Sequence, residues 1–316
     1  MSSILSKAKI GAAAGGRPPA AVEITLEGVL AGAVPGPGQP PVYAFQPLPP
    51  GVLLPGIGEP NLRAPETVSA AIRTAMDQVS PSSRSITLIL PDTVVRVFVL
   101  DFDSLPTKAA EAYPVLRFRL RKMVPFDVEH AGLSYQVLAD KRDEVKVLAA
   151  VIPGPILAEY ESAVRAAGYE PGAVLPSSLA ALEAVGSGDS SSAMEAVLIA
   201  NLSPVALTTS ITSGQDLLLY RTLDLPEDSE THIEEVRRGV AVAAAYFEDK
   251  LGAPPTRLHF AGNLRSGYAG AEGFAGWLDG FELSVVELAP RPATGATNSL
   301  GTASIAGITG ALAGVR

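Results

Sequence analysis

The sequence predicts an α/β chain made of two similar halves, and three observations carry that prediction. Each half opens on short β-rich segments that suit an antiparallel arrangement and then passes into helix and strand units. Between the halves lies the serine- and glycine-rich stretch Ser187 to Ser192, with the composition of a linker. The chain has 316 residues, 47% hydrophobic and only 18% charged, enough apolar material for about two domains.

The elements follow in order. Residues 1–19 are polar and rich in Gly and Ala, and are expected to form a flexible tail. Val22 to Ala33 alternates apolar and polar positions around Gly28, as a hairpin does. A proline-rich connection, PGPGQPPVYAFQPLPPGVLLPGIGEP, alternates extended and turn signals that no helix tolerates. Glu66 to Val79 places Val68, Ala71, Ile72 and Met76 on one helical face. Ser85 to Leu90 and Val94 to Phe102 read as strands, with Pro91-Asp92 closing the first. From Pro106 a helix is expected, with Ala110, Val115, Phe118 and Met123 on or near one stripe and Arg117, Arg121 and Lys122 elsewhere. Strands at Leu133 to Leu138 and Val145 to Ile152 and a helix at Pro155 to Ala167, burying Ile156, Tyr160 and Val164, complete a small α/β module inserted in the first half.

The second half begins with strands at Ala196 to Leu202, Ala206 to Thr212 and Asp216 to Leu223. A long helix spans Thr231 to Leu251, where Ile233, Val236, Val240, Ala244 and Phe247 recur at helical spacing. Leu258 to Ala261, a helix near Gly273 to Leu278, a strand at Phe281 to Leu288 and a helix from about Gly301 follow.

Composition removes several function classes. The 33 acidic and 24 basic side chains give a net charge of −9, which opposes the broad basic surface that nucleic acid needs. No nucleic-acid partner is expected. There is no cysteine, so disulfides, thiolate metal sites and cysteine nucleophiles are excluded. His130, His232 and His259 lack metal-ligand spacing, and no metal site is expected. No Gly-x-Ser-x-Gly elbow occurs. The start lacks the unbroken apolar run of a secretory signal, and the uncharged run Pro292 to Val315 is too polar for a span, so a cytoplasmic protein without a transmembrane segment is expected.

Several strings then carry a family likeness. AFQPLPPGVLLPG, LPDTVVRVFVLDFDSLP, LRFRLRKMVPFDVEHAGLSYQVL and ILAEYESAVRAAGYEPGAVLPSSLAAL resemble PilM, the cytoplasmic actin-like family of type IV pilus assembly. The most specific piece runs from the helix through MVPFD to SYQVL. The resemblance implies an actin-like, ribonuclease H-like duplicated fold of two lobes, about residues 20–195 and 196–316, with a small subdomain inserted at about 94–169. It further implies an adaptor that binds the cytoplasmic N-terminal peptide of a PilN-like bitopic inner-membrane protein beside that insert, and that meets other pilus platform or motor proteins. The protein would then sit peripherally at the inner membrane through its partners.

Actin-like ATPases grip phosphate with two glycine-rich hairpins, each carrying an Asp. Where the family's first hairpin runs like Leu-Asp-Ile-Gly-Ser-Ser-Ser-Val-Lys, this chain has Glu23 for the Asp, Thr25 for the Gly and Leu30 for the Lys. Glu27 adds a carboxylate, and Glu23 and Glu27 are expected as edge charges rather than an acid-base pair. The second hairpin reads Asn201-Leu202-Ser203-Pro204, without the expected acids or glycine. Gly262 remains as the adenine-side turn, and the short Pro226 to Glu230 connection leaves the nucleoside-clamp subdomain reduced. We therefore expect a pseudo-ATPase with a degenerate pocket at Glu23, Thr25, Asn201, Ser203 and Gly262, with no catalytic residue, no cofactor, and Mg-ATP binding weak or absent. The expected partner-peptide groove is formed by Phe98, Leu100, Arg119, Phe126 and Tyr135. The basic run Arg117, Arg119, Arg121, Lys122 reads either as a solvated helix face or as a docking surface for acidic partners or lipid headgroups. Two other readings stand beside this one: a cytoplasmic component of a GspL-like type II secretion platform, and an active ATPase or kinase of the actin-like superfamily.

Overall fold

The computed structural model describes residues 17–36, 38–141, 144–185, 196–214, 216–263, 270–289, 300 and 303–313. The expected linker at Ser187 to Ser192 and most of the expected tail lie outside them. In the first half, β1 (Ala20–Ile24), β2 (Gly28–Ala33) and β3 (Val42–Pro47) form an antiparallel meander. Then come α1 (Pro65–Val79), β4 (Ser85–Leu90), the inserted module, α3 (Gly154–Ala166), β8 (Glu170–Pro176) and α4 (Ser177–Val185). β4 and β8 join in parallel, giving the order β3-β2-β1-β4-β8.

The second half repeats this plan. β9 (Ala196–Ser203), β10 (Ala206–Ser213) and β11 (Asp216–Asp224) form the meander, α5 (Ser229–Leu251) crosses over, and β12 (Arg257–Gly262) and β13 (Ser284–Glu287) add in parallel. Its order, β11-β10-β9-β12-β13, matches the first sheet strand for strand, so the duplication read from the sequence is a duplication of topology. The α5 helix starts on Asp228, whose side chain accepts from Thr231 N at 2.9 Å, and stops at Gly252 in the left-handed conformation. α6 (Gly270–Trp277) covers the same face of this sheet, through Phe274 against Phe260.

Both faces of the first sheet are covered. On one side Ala20, Val22 and Ile24 of β1 pack with α1 and α3; on the other Ala21 meets α4 and α7 (Ala306–Ala313). That is why β1, AAVEI, is buried at every position and shows no solvent face. α7 belongs by sequence to the second half but packs along α4, so close that a Cβ on Gly310 would overlap the Ala180 carbonyl. Arg17 crosses this pair, meeting Glu183 at 3.6 Å and the Gly310 carbonyl at 3.4 Å, with both charged side chains largely buried.

The insert is a three-stranded antiparallel sheet, β5 (Arg96–Phe102), β7 (Glu144–Ile152) and β6 (Gly132–Lys141), in the order β5-β7-β6. Helix α2 (Ala109–Leu120) lies on one face. α3 buries Ile156, Tyr160 and Val164 as expected, but in the core of the first lobe rather than within the insert. The expected stripe on α2 is the wrong one. The helix buries Ala112, Leu116 and Leu120, spaced by four, and turns Val115 and Phe118 outward, with Met123 also exposed just beyond its end. Among the described residues, no helix is long and apolar enough to cross a membrane.

Candidate functional site

The carboxyl ends of β1, β4, β9 and β12 meet between the lobes and open a small cleft there. Its lining includes all five residues expected there from the sequence: Glu23, Thr25, Asn201, Ser203 and Gly262. Asp92 and Ser177 join them. The cleft volume is about 50 Å³, room for one or two water molecules at about 30 Å³ each.

The two hairpin turns spend backbone donors on their own side chains. At the first, Thr25 Oγ1 accepts from Gly28 N at 3.2 Å and donates to Gly28 O at 3.0 Å, while Thr25 N donates to the same carbonyl at 2.8 Å. At the second, Ser203 Oγ accepts from Val205 N at 3.4 Å and Ala206 N at 3.1 Å. Pro204, between them, has no N–H to offer. In a phosphate-gripping hairpin, glycine leaves such amides free to point at the anion; here hydroxyls take them.

Glu23 corrects the expectation of an edge charge. Its strand is the middle one of the sheet, paired to β2 on one side and β4 on the other, and only 6% of the residue is exposed. Its side chain sits on the α7 face, where Gly307 leaves the room; a Cβ there would stand 2.5 Å from Glu23 Oε2. Ser177 donates to Oε1 at 2.6 Å, whereas Oε2 has no hydrogen-bond partner among the described residues. Burial pushes the Glu23 carboxyl up to about 7, the Ser177 hydrogen bond opposes this, and the nearby Asp92 and Glu27 charges add to it.

Asp92 lies on a single 3₁₀ turn directly after β4 and was not singled out from the sequence. It accepts from Ser178 N at 3.0 Å, Ser178 Oγ at 2.9 Å, Asn201 Nδ2 at 3.1 Å and Thr208 Oγ1 at 2.7 Å. The first two donors start α4 in the first lobe; the last two stand on β9 and β10 in the second. Tyr220 of β11 joins through Ser178 Oγ at 2.5 Å. Burial still outweighs these donors and holds the Asp92 carboxyl above its ordinary range. Asp92 is therefore a clasp between the lobes, and Asn201 is one of its two ties to the second lobe.

Gly262 has φ of 106°, and a Cβ there would overlap the Leu202 carbonyl. The close approach of β12 to β9 explains this glycine, and Asn263 N continues the contact by donating to Leu202 O at 2.8 Å. Among the described residues, the cleft lining carries Glu23, Glu27 and Asp92 and no Lys, Arg or His. Such a lining attracts cations and repels polyphosphate.

Of the five residues expected to form a peptide groove, four share one hydrophobic cluster of the insert and Arg119 stands apart. Phe98 and Tyr135 both stand opposite Ala149, on either side of the central strand, and are half-buried with Phe126 in the cluster under α2. Tyr135 meets Tyr113 of α2 edge-on, ring centres 5.3 Å apart. Leu100 is 4% exposed and serves the packing of that cluster. Arg119 lies in solvent, about 100° round α2 from the buried Leu120, apart from the other four.

Two matched sheets of identical strand order, with a cleft at the ends of their parallel strands, define an actin-like fold. The chain has the form found in a chain of the PilM–PilN type IV pilus biogenesis complex, with a TM-score of 0.70 and 19% identity over 96% of this chain and 100% of that one. Also similar are a protein of actin-like ATPase fold and unknown function from Bacteroides thetaiotaomicron (TM-score 0.49, 12% identity, 84% and 90% covered) and the cytoplasmic domain of EpsL, an inner-membrane component of the type II secretion system of Vibrio cholerae (TM-score 0.46, 14% identity, 89% and 92% covered). No family model and no curated protein sequence matches the chain.

Proposed function

We propose that the protein is a non-enzymatic adaptor of a type IV pilus or related secretion platform, peripheral at the inner membrane, that holds the cytoplasmic peptide of a PilN-like bitopic membrane protein. The observation that carries this reading is the end-to-end likeness in fold to a chain of the PilM–PilN complex, insert included. The cleft supports the non-enzymatic part: the Gly28, Val205 and Ala206 amides are taken by Thr25 and Ser203, its lining carries three carboxyl groups, and Asp92 is consumed in joining the lobes.

For the peptide, the insert offers β6, whose outer edge pairs with no strand among the described residues. An extended segment can add there by backbone pairing, with alternate side chains resting on Tyr135 and the exposed Val137, two residues apart on one face. Titration of the full chain with the cytoplasmic peptide of a PilN-like protein tests this. We expect saturable binding that Tyr135→Ala weakens by about tenfold, the effect of losing roughly 1.4 kcal/mol at an aromatic anchor. Unchanged affinity in a folded Tyr135→Ala variant contradicts the β6 edge as the site.

A further inference from the structure

We propose that the outer face of α2 is a docking surface for an anionic lipid bilayer. The inference rests on charge and shape and does not depend on the peptide site above. Phe118 is 69% exposed, the most exposed large hydrophobic side chain among the described residues, and it points directly away from the buried row of the helix. Val115, at 37% exposure, precedes it on the same face, and Met123, at 41%, lies just beyond the helix end.

The charges around this apolar ridge are one-sided. Between residues 108 and 123 stand five cations, Lys108, Arg117, Arg119, Arg121 and Lys122, against one carboxylate, Glu111, in a chain whose net charge is −9. Glu111 is engaged by Lys108 at 3.5 Å, Arg121 is held by Glu129 at 2.5 Å, and Arg117 is turned inward to the Val128 and Ala131 carbonyls. Arg119 and Lys122 are exposed and in no ion pair among the described residues. Lys122, four places after Phe118 and just past the helix end, follows the ring along its face, and Arg119 stands about 100° round the helix from it.

Shape favours a lipid surface over an acidic protein segment. The feature projects, and neither the interlobe cleft nor the groove between the ends of α1 and α3 is lined by any residue of α2. A protein partner would have to supply a fitted pocket for the ring. A bilayer interface takes a projecting aromatic side chain anywhere, while long cationic side chains beside it reach the headgroups.

The test is co-sedimentation of the full chain with phosphatidylcholine vesicles containing about 30% phosphatidylglycerol, beside vesicles of phosphatidylcholine alone. We expect binding to the anionic vesicles only, lost at about 1 M salt, where the screening length is about 3 Å. Each unpaired cation contributes about fivefold to the partition, so Arg119→Glu with Lys122→Glu lowers it by at least about 30-fold. Phe118→Ser lowers it by roughly tenfold. All three positions are exposed, and unchanged thermal unfolding of both variants shows that the loss is local. Failure of the native chain to bind anionic vesicles, or equal binding by the two variants, overturns the proposal. So does loss of binding to an acidic partner peptide in these variants while the native chain ignores lipid, which marks the face as a protein interface.

Discussion

Replacing Asp92 by alanine is expected to destabilise the fold by about 3–5 kcal/mol, the scale of depriving several buried neutral donors of an acceptor at about 1–3 kcal/mol each. On a chain of this size that lowers the unfolding midpoint by roughly 5–8 °C. The reason is geometric. Four donors from three elements converge on this carboxylate, two from the start of α4 and one each from β9 and β10. Removing the acceptor takes from Ser178 N its acceptor and leaves Ser178 Oγ, Asn201 Nδ2 and Thr208 Oγ1 with only their neutral partners Tyr220, Ser177 and Thr222. Asp92→Asn keeps the volume but turns an amide toward some of those donors, so its loss should be intermediate. Thermal unfolding, with hydrogen exchange across 177–178 and 201–208, reads both effects. A loss below about 1 kcal/mol for the alanine variant, within the range of an ordinary hydrogen bond, would show that the lobes are held together elsewhere, for example by Arg96 with Asp224 at 3.6 Å.

The second large effect is a pH dependence from Glu23. Its folded-state pKa is raised from an ordinary 4.5 to about 7, because burial disfavours the charged form. A raised acid contributes stability that is fully present below the unfolded value and disappears as pH climbs through the folded one. The window is therefore about pH 4.5 to 7, and the full change is about 3 kcal/mol at 1.36 kcal/mol per unit. Glu23→Gln removes the titration while keeping an acceptor for Ser177. We expect the variant to match the native chain near pH 4.5, to exceed it by up to about 3 kcal/mol at pH 8, and to lack the native slope in between. Parallel stability curves for the two proteins would contradict the burial of this carboxyl against α7.

Much of the fold was legible because local periodicity and tertiary burial agreed. The first hairpin, α1, α5 and the strand–helix–strand–strand order of the insert fall close to where the pattern put them. Three failures have two causes. β3 hides in a proline-rich stretch, and β8 carries Pro171 and Pro176; both are the outer strands of their sheet, where a missing N–H costs no ladder bond. The α2 stripe was misread because the exposed face carries Val115 and Phe118 while the buried one begins with the small Ala112. Residue size favoured the wrong face.

The cleft shows the same division. Glu23, Thr25, Asn201, Ser203 and Gly262 were placed together by resemblance to known hairpins, and they do line one cavity. The burial of Glu23 was hidden, since β1 becomes a middle strand only by pairing with β4, some sixty residues away. Asp92 was passed over as the end of a strand. A signal was present: a carboxylate immediately after SITLILP stands at the carboxyl end of a buried parallel strand, the position where open α/β sheets place their sites. Ser178, Thr208 and Tyr220, its companions, carry no signal in sequence because three separate elements bring them there.

The most direct measurement is calorimetric titration of the full chain with Mg-ATP at neutral pH. With the Gly28, Val205 and Ala206 amides engaged, three acidic side chains in the lining and Asp92 joining the lobes, we predict no saturable binding up to about 1 mM, an affinity weaker than about −4 kcal/mol. A micromolar dissociation constant, about −8 kcal/mol, would contradict the reading of this cleft as an interlobe clasp and make the protein a nucleotide-binding member of the actin-like fold.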